Sequence, residues 1–426
     1  MTDAVEEVPN NWARHVPMLI LIIAGETVFL LPFVIIRVFR PTFLDVFEIT
    51  NFQLGSAFSA YGIVAMGSYF FGGPLADRFS AKWLMTIALV CTAAAGFIFA
   101  LIPSLTILVF LYAFWGISTI LLFWAALIRS TRILGGMRNQ SKVFGVLDGG
   151  RGLLAAVLAS LLVFIFASLL PLDVASASLL ERESALAEVI WFCAFFTLGT
   201  AALVWWFIPH GVDGPEKGTR AFHWPKTLLR KRTLWLQSII VVCAYVAYKS
   251  TDDFSLYVSD AFAYDDVDAA RMGTISFWVR PVAAIAAGFL GDRMLASTVA
   301  IGSFVILIVG SLCIAMGLVH GDATLWLILV VVTTSLGIYA VRGIYFALFH
   351  EAKVPISITG AAIGIVSFIG YTPDVFMGPA MGYLIDRSPG AVGHQHVFAL
   401  VAGFGFIGLL ASIIFRKLAR EQRAIQ

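Results

Sequence analysis

Runs of about twenty apolar residues, each closed by a short polar stretch, recur along the whole chain. The first contains PMLILIIAGETVFLLPFVII, too greasy to face water on any side of a helix. Runs of this length suit membrane-spanning helices, because a barrel strand is about half as long and alternates in polarity. Composition points the same way: 60% of the 426 residues are hydrophobic and 13% are charged, against about a quarter charged in a soluble domain. The chain reads as an all-α polytopic membrane protein. Twelve helices are expected near 15–37, 51–74, 82–102, 105–128, 143–170, 187–208, 233–257, 269–291, 297–318, 324–348, 357–384 and 396–415.

The longest connection, 209–232, is polar, basic and rich in Pro and Gly, and divides the spans six and six. The expected organisation is a tail (1–14), a six-helix bundle (15–208), a central loop (209–232), a second six-helix bundle (233–415) and a second tail (416–426). The acidic start MTDAVEEVPNN lacks the basic region and cleavage site of a signal peptide, so the first span is expected to direct insertion. Cys91, Cys193, Cys243 and Cys313 all fall inside apolar runs and read as packing residues.

Charge sets the expected orientation. With the N-terminus inside, the inner segments hold Arg14, Arg78, Lys82, Arg129, Arg132, Arg138, Lys142, the basic residues of 217–232, Arg293, Lys353 and the basic C-terminal tail. The outer segments hold only Arg40, Arg182, Arg271 and Arg387. By the positive-inside rule both termini are expected in the cytoplasm.

Between the second and third spans lies FFGGPLADRFSAKWLM, residues 70–85, with Asp77, Arg78 and Lys82 crowded into six positions. Between the eighth and ninth lies AGFLGDRMLAS, residues 287–297, where Asp292 and Arg293 repeat the pattern 215 residues later. A Gly-x-Leu-(Ala/Gly)-Asp-Arg hexad at the same point of each half implies duplication. Two related six-helix halves suggest a secondary transporter with its site between them near the midplane.

Gly73-Pro74-Leu75-Ala76-Asp77-Arg78-Phe79-Ser80-Ala81-Lys82 closely resembles the loop 2–3 signature of the major facilitator superfamily, and Asp292–Arg293 resembles its weaker second copy. Ser80 stands where that pattern has Gly, and Ala81 where it has a basic residue. The resemblance covers the whole chain and implies that Asp77 caps the N-terminus of span 11 and latches the halves, with Arg78, Lys82, Asp292 and Arg293 in the same gating elements. A carboxylate near a helix N-terminus contributes about 0.3–1 kcal/mol. The plainer alternative is that these charges only end helices and hold topology.

Ionisable groups inside the spans are the candidates for chemistry, since each is costly in hydrocarbon. Arg151, Arg280, Arg342, Lys249 and Arg37 are the candidate substrate cations, and Trp124, Trp278 and Tyr371 candidate cavity walls. Arginine suits an anion because its planar fork donates two parallel hydrogen bonds. The alternative pairs each cation with an acid: Arg151 with Asp148, Lys249 with Asp252 or Asp253, Arg342 with Asp374. Arg37, near the expected end of span 1, has the further alternative of snorkelling to the interface. Asp252 and Asp253 are expected nearer the surface. Glu26, Asp148 and Asp374 are the candidate proton carriers, because a carboxylate neutral when buried and ionised when wetted can carry a proton. Arg129 or Arg151 are expected beside Glu26. The seven histidines are placed mainly at membrane edges or in loops.

The segment FWAALIRSTRILGGMRNQSKVFGVLDGGRG resembles the organophosphate–organic anion wing of the superfamily, which implies that Asp148 and Arg151 line the cavity. LLPFVIIRVFRPTFLDVFEITNFQLG resembles a bacterial branch near that wing, the YihN-like transporters. The wing's paired arginines on spans 1 and 7 are not cleanly present: Arg37 is displaced, and span 7 offers Lys249.

The expected function is proton-coupled symport of a small organic anion (carboxylate, phosphate or sulfonate) by alternating access, in a bacterial plasma (inner) membrane. The alternatives are a proton-driven drug or lipid exporter of the same fold, or a membrane receptor. No P-loop, Gly-x-Ser-x-Gly elbow or His/Cys metal pattern points to an enzyme. Anionic solute, protons and the lipid bilayer are the expected partners, with no cofactor, no metal and no nucleic acid, and the chain is expected to act as a monomer.

Overall fold

The computed structural model describes residues 12–135, 140–209, 229–319, 324–352 and 356–424, and among them every regular element is helical. The side chains of Arg14, Arg138, Lys142, Asp292 and Arg423, residues 217–228, Lys353, and His210, His223 and His320 lie outside the described residues. Eleven helices are each long and apolar enough to cross a bilayer: α1 (Val16–Phe47), α2 (Asn51–Arg78), α3 (Ala81–Phe99), α4 (Leu105–Leu134), α5 (Val143–Leu169), α6 (Leu179–Phe207), α7 (Arg232–Phe262), α8 (Asp266–Gly291), α9 (Ala296–Ala315), α10 (Thr324–Ile344) and α12 (Ala391–Glu421). The twelfth span, α11, is broken into Ile356–Gly370 and Pro373–Arg387. The architecture is a polytopic all-α fold of two six-helix bundles.

Local signals start several helices. Thr50 and Gln53 form a reciprocal capping box at the head of α2, and Ser178 with Glu181 does the same for α6. Asp265 caps α8 by accepting the N–H groups of Val267 and Asp268 at 3.0 and 2.8 Å.

Four spans depart from regularity. A π-helical turn, Leu30–Val34, interrupts α1 at Pro32, which has no N–H to donate. Ile117–Trp124 is π-helical within α4, and Ser250–Asp253 is a 3₁₀ turn within α7. The gap in α11 falls just before Pro373, which opens the second piece as a preset first-turn residue.

Two changed boundaries bear on the site. Span 1 continues ten residues past 37, to Phe47: the chain kinks at Phe39 (φ −110°, ψ 31°), ahead of Pro41, resumes as helix and ends at Glu48, which is left-handed at φ 51°. Span 7 runs on five residues past 257, to Phe262, which sets Asp252 and Asp253 deeper in it, 3% and 0% exposed rather than nearer the surface.

The bundles meet through α2 against α11, α5 against α8, and α1 against α7 and α8. Glycines allow the first of these. A Cβ on Gly62 would sit 2.5 Å from the carbonyl oxygen of Asp374, and one on Gly55 2.6 Å from the nitrogen of Pro379. Only a residue without a side chain permits that backbone approach.

Candidate functional site

Two polar layers cross the interface. The first lies toward the end carrying Asp77, here the Asp77 end. Glu26 on α1 is 3% exposed and receives two arginines, one from each half. Arg151 Nε on α5 is 3.3 Å from its Oε2, and Arg280 Nη1 on α8 is 3.3 Å from its Oε1. Arg151 also donates to the carbonyl of Gly25 at 3.0 Å. Asp148 reaches the same arginines more loosely, at 4.0 Å from Arg151 and 3.8 Å from Arg280, and its side chain stays 57% exposed. Water therefore reaches the edge of this cluster while Glu26 remains covered.

Arg342 on α10 completes the layer without a carboxylate of its own. Its guanidinium carbon lies 3.5 Å over the ring of Tyr248 and 5.5 Å from that of Tyr245. Among the described residues no Asp or Glu comes within ion-pair distance of it. The stacking supplies a cation–π contact but no countercharge. Two carboxylates thus serve Arg151 and Arg280, and the third arginine adds an unmatched charge.

The second layer lies toward the opposite end, which carries Asp386. Arg37, 3% exposed, binds Asp252 on α7 through Nη2 at 2.5 Å and Nε at 2.6 Å, and donates to the Tyr248 hydroxyl at 3.2 Å. Lys249 bridges Asp252 at 3.6 Å and Asp374 at 3.5 Å, with its ammonium over Phe33 and Phe58. Tyr245 donates to Asp374 at 3.1 Å. Arg40 donates to the carbonyl of Asp252 at 3.2 Å and to Asn51 at 2.8 Å. Beyond them Thr42 donates to Asp266 at 2.7 Å, and Arg182 on α6 meets the same carboxylate at 3.1 Å. Asp386 accepts the first N–H groups of α2, from Asn51 at 3.1 Å and Phe52 at 2.8 Å. This end is closed by polar bonds layered over the glycine seam.

Several expected partners change. Asp374 pairs with Lys249 rather than with Arg342, because α7 lies beside the broken part of α11. Arg37 does not snorkel: the longer α1 carries it into the protein, against a carboxylate of the other half. Glu26 meets Arg151 and Arg280, while Arg129 donates to the carbonyl of Ala76.

Trp124 stands 5.4 Å from the Arg151 guanidinium, beside the first layer. Tyr371 packs at a tilt against Tyr245 and Tyr69, with ring centres 4.9 and 5.9 Å away. Trp278 lies elsewhere: it bonds Ser160 on the α5–α8 seam and is 46% exposed. In the Asp77 turn, Lys82 is buried against Trp205 of the same bundle. Asp77 is half-buried and Arg78 exposed at the end of α2, and Arg293 stacks on Phe289 at the end of α8.

Arg40, Asp386 and His394 were not among the candidates. For Asp386 a signal existed: GYLIDR, residues 382–387, is a third Gly-x-Leu-x-Asp-Arg hexad. His394 had none, because its partners Asp253 and Asp260 lie on another span, more than 130 residues away.

Comparison with known proteins gives a consistent picture. The family model described as Major Facilitator Superfamily matches residues 22–372. Inner membrane protein YihN of Escherichia coli (strain K12) is 24% identical over 414 residues, covering 95% of this chain and 96% of that one. Inner membrane protein YqcE of the same strain is 25% identical over 436 residues, covering 97% and 98%. Among solved structures, the nucleoside transporter NupG superposes with a TM-score of 0.69 at 15% identity, covering 95% of this chain and 99% of that one. A bacterial homologue of the human lysosomal transporter Spinster, inward-facing and occupied, superposes at 0.68 and 16% identity, covering 96% of each. At such identities the structures speak for the fold alone.

Proposed function

The chain belongs to the major facilitator superfamily, and from that premise we propose that it moves a small organic anion by alternating access, coupled to protons in symport. Arg342 carries this reading. It is the deep arginine with no carboxylate at ion-pair distance among the described residues, and it stacks on Tyr248 beside a cluster that already holds Arg151, Arg280, Glu26 and Asp148. With all five groups ionised the cluster carries one net positive charge, which a carboxylate, phosphate or sulfonate would neutralise through the guanidinium fork.

Glu26 is the natural coupling group, because its two oxygens hold one arginine from each bundle. Protonating it frees Arg151 and Arg280 for the anion, and anion binding in turn relieves Glu26 of both. Lys249, Arg37 and Asp374 then belong to the closure of the Asp386 end rather than to first contact with the anion. The surplus of basic residues in the segments at the Asp77 end favours that end as cytoplasmic, and the relatives named as inner membrane proteins favour a bacterial inner membrane. Asp77, with Arg78, Lys82, Asp292 and Arg293, is proposed to latch the Asp77 end when the other end opens. The two-bundle division near 209–232 and a monomeric unit belong to the same proposal.

The test is thermal-shift screening of purified protein against carboxylates, sugar phosphates, sulfonates, nucleosides and lipophilic cations, since a ligand stabilises the state that binds it. One anionic class should raise the melting temperature of wild type and fail to do so in Arg342→Ala. Stabilisation by lipophilic cations alone would support the exporter and overturn the anion reading. The anion found should then enter proteoliposomes under an imposed proton gradient.

A further inference from the structure

His394 takes no part in the central cluster, yet it is fully buried near the start of α12 with a carboxylate at each ring nitrogen. Nδ1 is 2.7 Å from Asp253 Oδ2, and Nε2 is 3.1 Å from Asp260 Oδ2. An ionised carboxylate only accepts. Both contacts are therefore hydrogen bonds only when two protons lie along them: an imidazolium between two carboxylates, or a neutral imidazole with one carboxylic acid. Either arrangement gives the triad a net charge of minus one. Loss of one proton breaks a bond and leaves minus two in a buried place.

The surroundings of the triad are unequal. Asp260 has a side chain 32% exposed toward the Asp386 end, whereas those of His394 and Asp253 are at 0%. Protons thus have an approach through Asp260. On the inner side, Arg40 of the other bundle places Nη1 3.6 Å from Asp253 Oδ1, an oxygen that accepts no hydrogen bond among the described residues. From α1, Asp45 sets a like charge facing Asp260, and from α7 itself Tyr257 faces His394, ring centre to ring centre at 5.5 Å. The packing from α8, α9 and α10 is apolar, through Ala269, Met272, Ile314 and Leu327. Arg37 and Lys249 face the neighbouring Asp252 rather than the triad.

We infer that Asp260, His394 and Asp253 form a proton-binding site entered from the Asp386 end, and that Arg40 couples its occupancy to closure of that end. The inference rests on the proton-coupled reading above and gives it a second proton site besides Glu26. The sign follows from Coulomb's law. A cation beside Asp253 favours the more negative triad, so closure, which brings Arg40 in on α1, lowers the triad's affinity for its proton. Linkage is reciprocal: proton binding favours the open Asp386 end and proton loss the closed one. The geometry described is the closed end, with both carboxylates at hydrogen-bond distance from the imidazole. Next in the chain, Asp252, Lys249 and Asp374 lead on to Tyr245 at the central site.

A substrate-free measurement separates this inference from the anion reading. Spin labels at Leu172→Cys and Pro389→Cys, in loops of opposite bundles at the Asp386 end, report its opening in lipid nanodiscs once the four native cysteines are replaced by alanine. Between pH 5 and 9, acid should populate the longer distance in wild type. His394→Gln should abolish that pH dependence, Asp260→Asn should move its midpoint by at least about one unit, and Glu26→Gln should leave it in place. An unchanged pH profile in His394→Gln, a shorter distance in acid, or loss of the profile in Glu26→Gln would overturn the inference. Should His394→Gln fold poorly, the partly exposed Asp260→Asn decides: an unmoved midpoint removes the triad from proton binding. Failure to bind any anion would leave these outcomes untouched.

Discussion

Arg37 and Asp252 bond to each other across the interface at 2.5 and 2.6 Å, and they stand 215 residues apart. That is the offset between Asp77 and Asp292 in the repeated hexads. The pair therefore joins equivalent positions of the two halves, as expected of residues beside the axis that relates them. Removing one charge strands the other in a buried place, at a cost of about 3–5 kcal/mol. Arg37→Ala and Asp252→Asn should each lower the melting temperature, and the exchange Arg37→Asp with Asp252→Arg should recover part of the loss in a double-mutant comparison. Additive loss in the exchange would show that the two residues act separately.

Asp386 holds the head of α2 by two charge-assisted bonds at an exposed site. Asp386→Asn removes the negative charge at that helix start, worth about 0.3–1 kcal/mol, and so about a two- to fivefold shift toward the state open at the Asp386 end. Accessibility of a single cysteine at Gln53 to a water-soluble maleimide should rise by that factor. No change would remove Asp386 from the closure and leave it to the glycine seam and the other polar bonds of that end.

Arg280 and Arg342 should differ on mutation. Arg342 has no carboxylate to strand among the described residues, so Arg342→Ala should leave the melting temperature nearly unchanged while weakening anion binding at least tenfold, the loss of a fork to an anion. Arg280→Ala should lower both, because Glu26 loses one of its two cations. Equal thermal losses in the two variants would argue that Arg342 is structural.

Glu26 and Asp148 form a graded pair of acids. Glu26→Gln leaves Arg151 and Arg280 facing a neutral group in a covered place, whereas Asp148 is 57% exposed and its arginines keep Glu26 and water. Proton-driven uptake in proteoliposomes should be lost in Glu26→Gln and fall only a few-fold in Asp148→Asn. Uptake indifferent to both pH and Glu26→Gln would end the coupling role.

Asp77→Asn should slow turnover more than it weakens binding, since a latch acts on the exchange between states. Initial uptake rates set against equilibrium binding of the same anion give the comparison. The reverse pattern would place Asp77 outside the gate.

Much was legible before any folding was considered. Apolar run lengths determine the number and positions of the spans, because a backbone in hydrocarbon must bond to itself along a helix. The hexads at Asp77 and Asp292 reveal the duplication, whereas the start of α6 at Leu179, capped by Ser178 and Glu181, lies eight residues before the expected 187, and the break before Pro373 interrupts an expected single span. Most intramembrane charges are likewise legible from the chain alone, although Arg40 reads there as an outer-segment residue and His394 as an edge histidine. What each charge faces is not, because pairing depends on how far a helix runs, how it is rotated and which helix of the other bundle lies beside it. Ten further residues of α1 turned Arg37 from an interfacial side chain into a buried bridge, and the approach of α7 to α11 gave Asp374 to Lys249 and left Arg342 to a tyrosine ring. The triad around His394 belongs wholly to that second kind of information, since it exists only where α12 crosses α7.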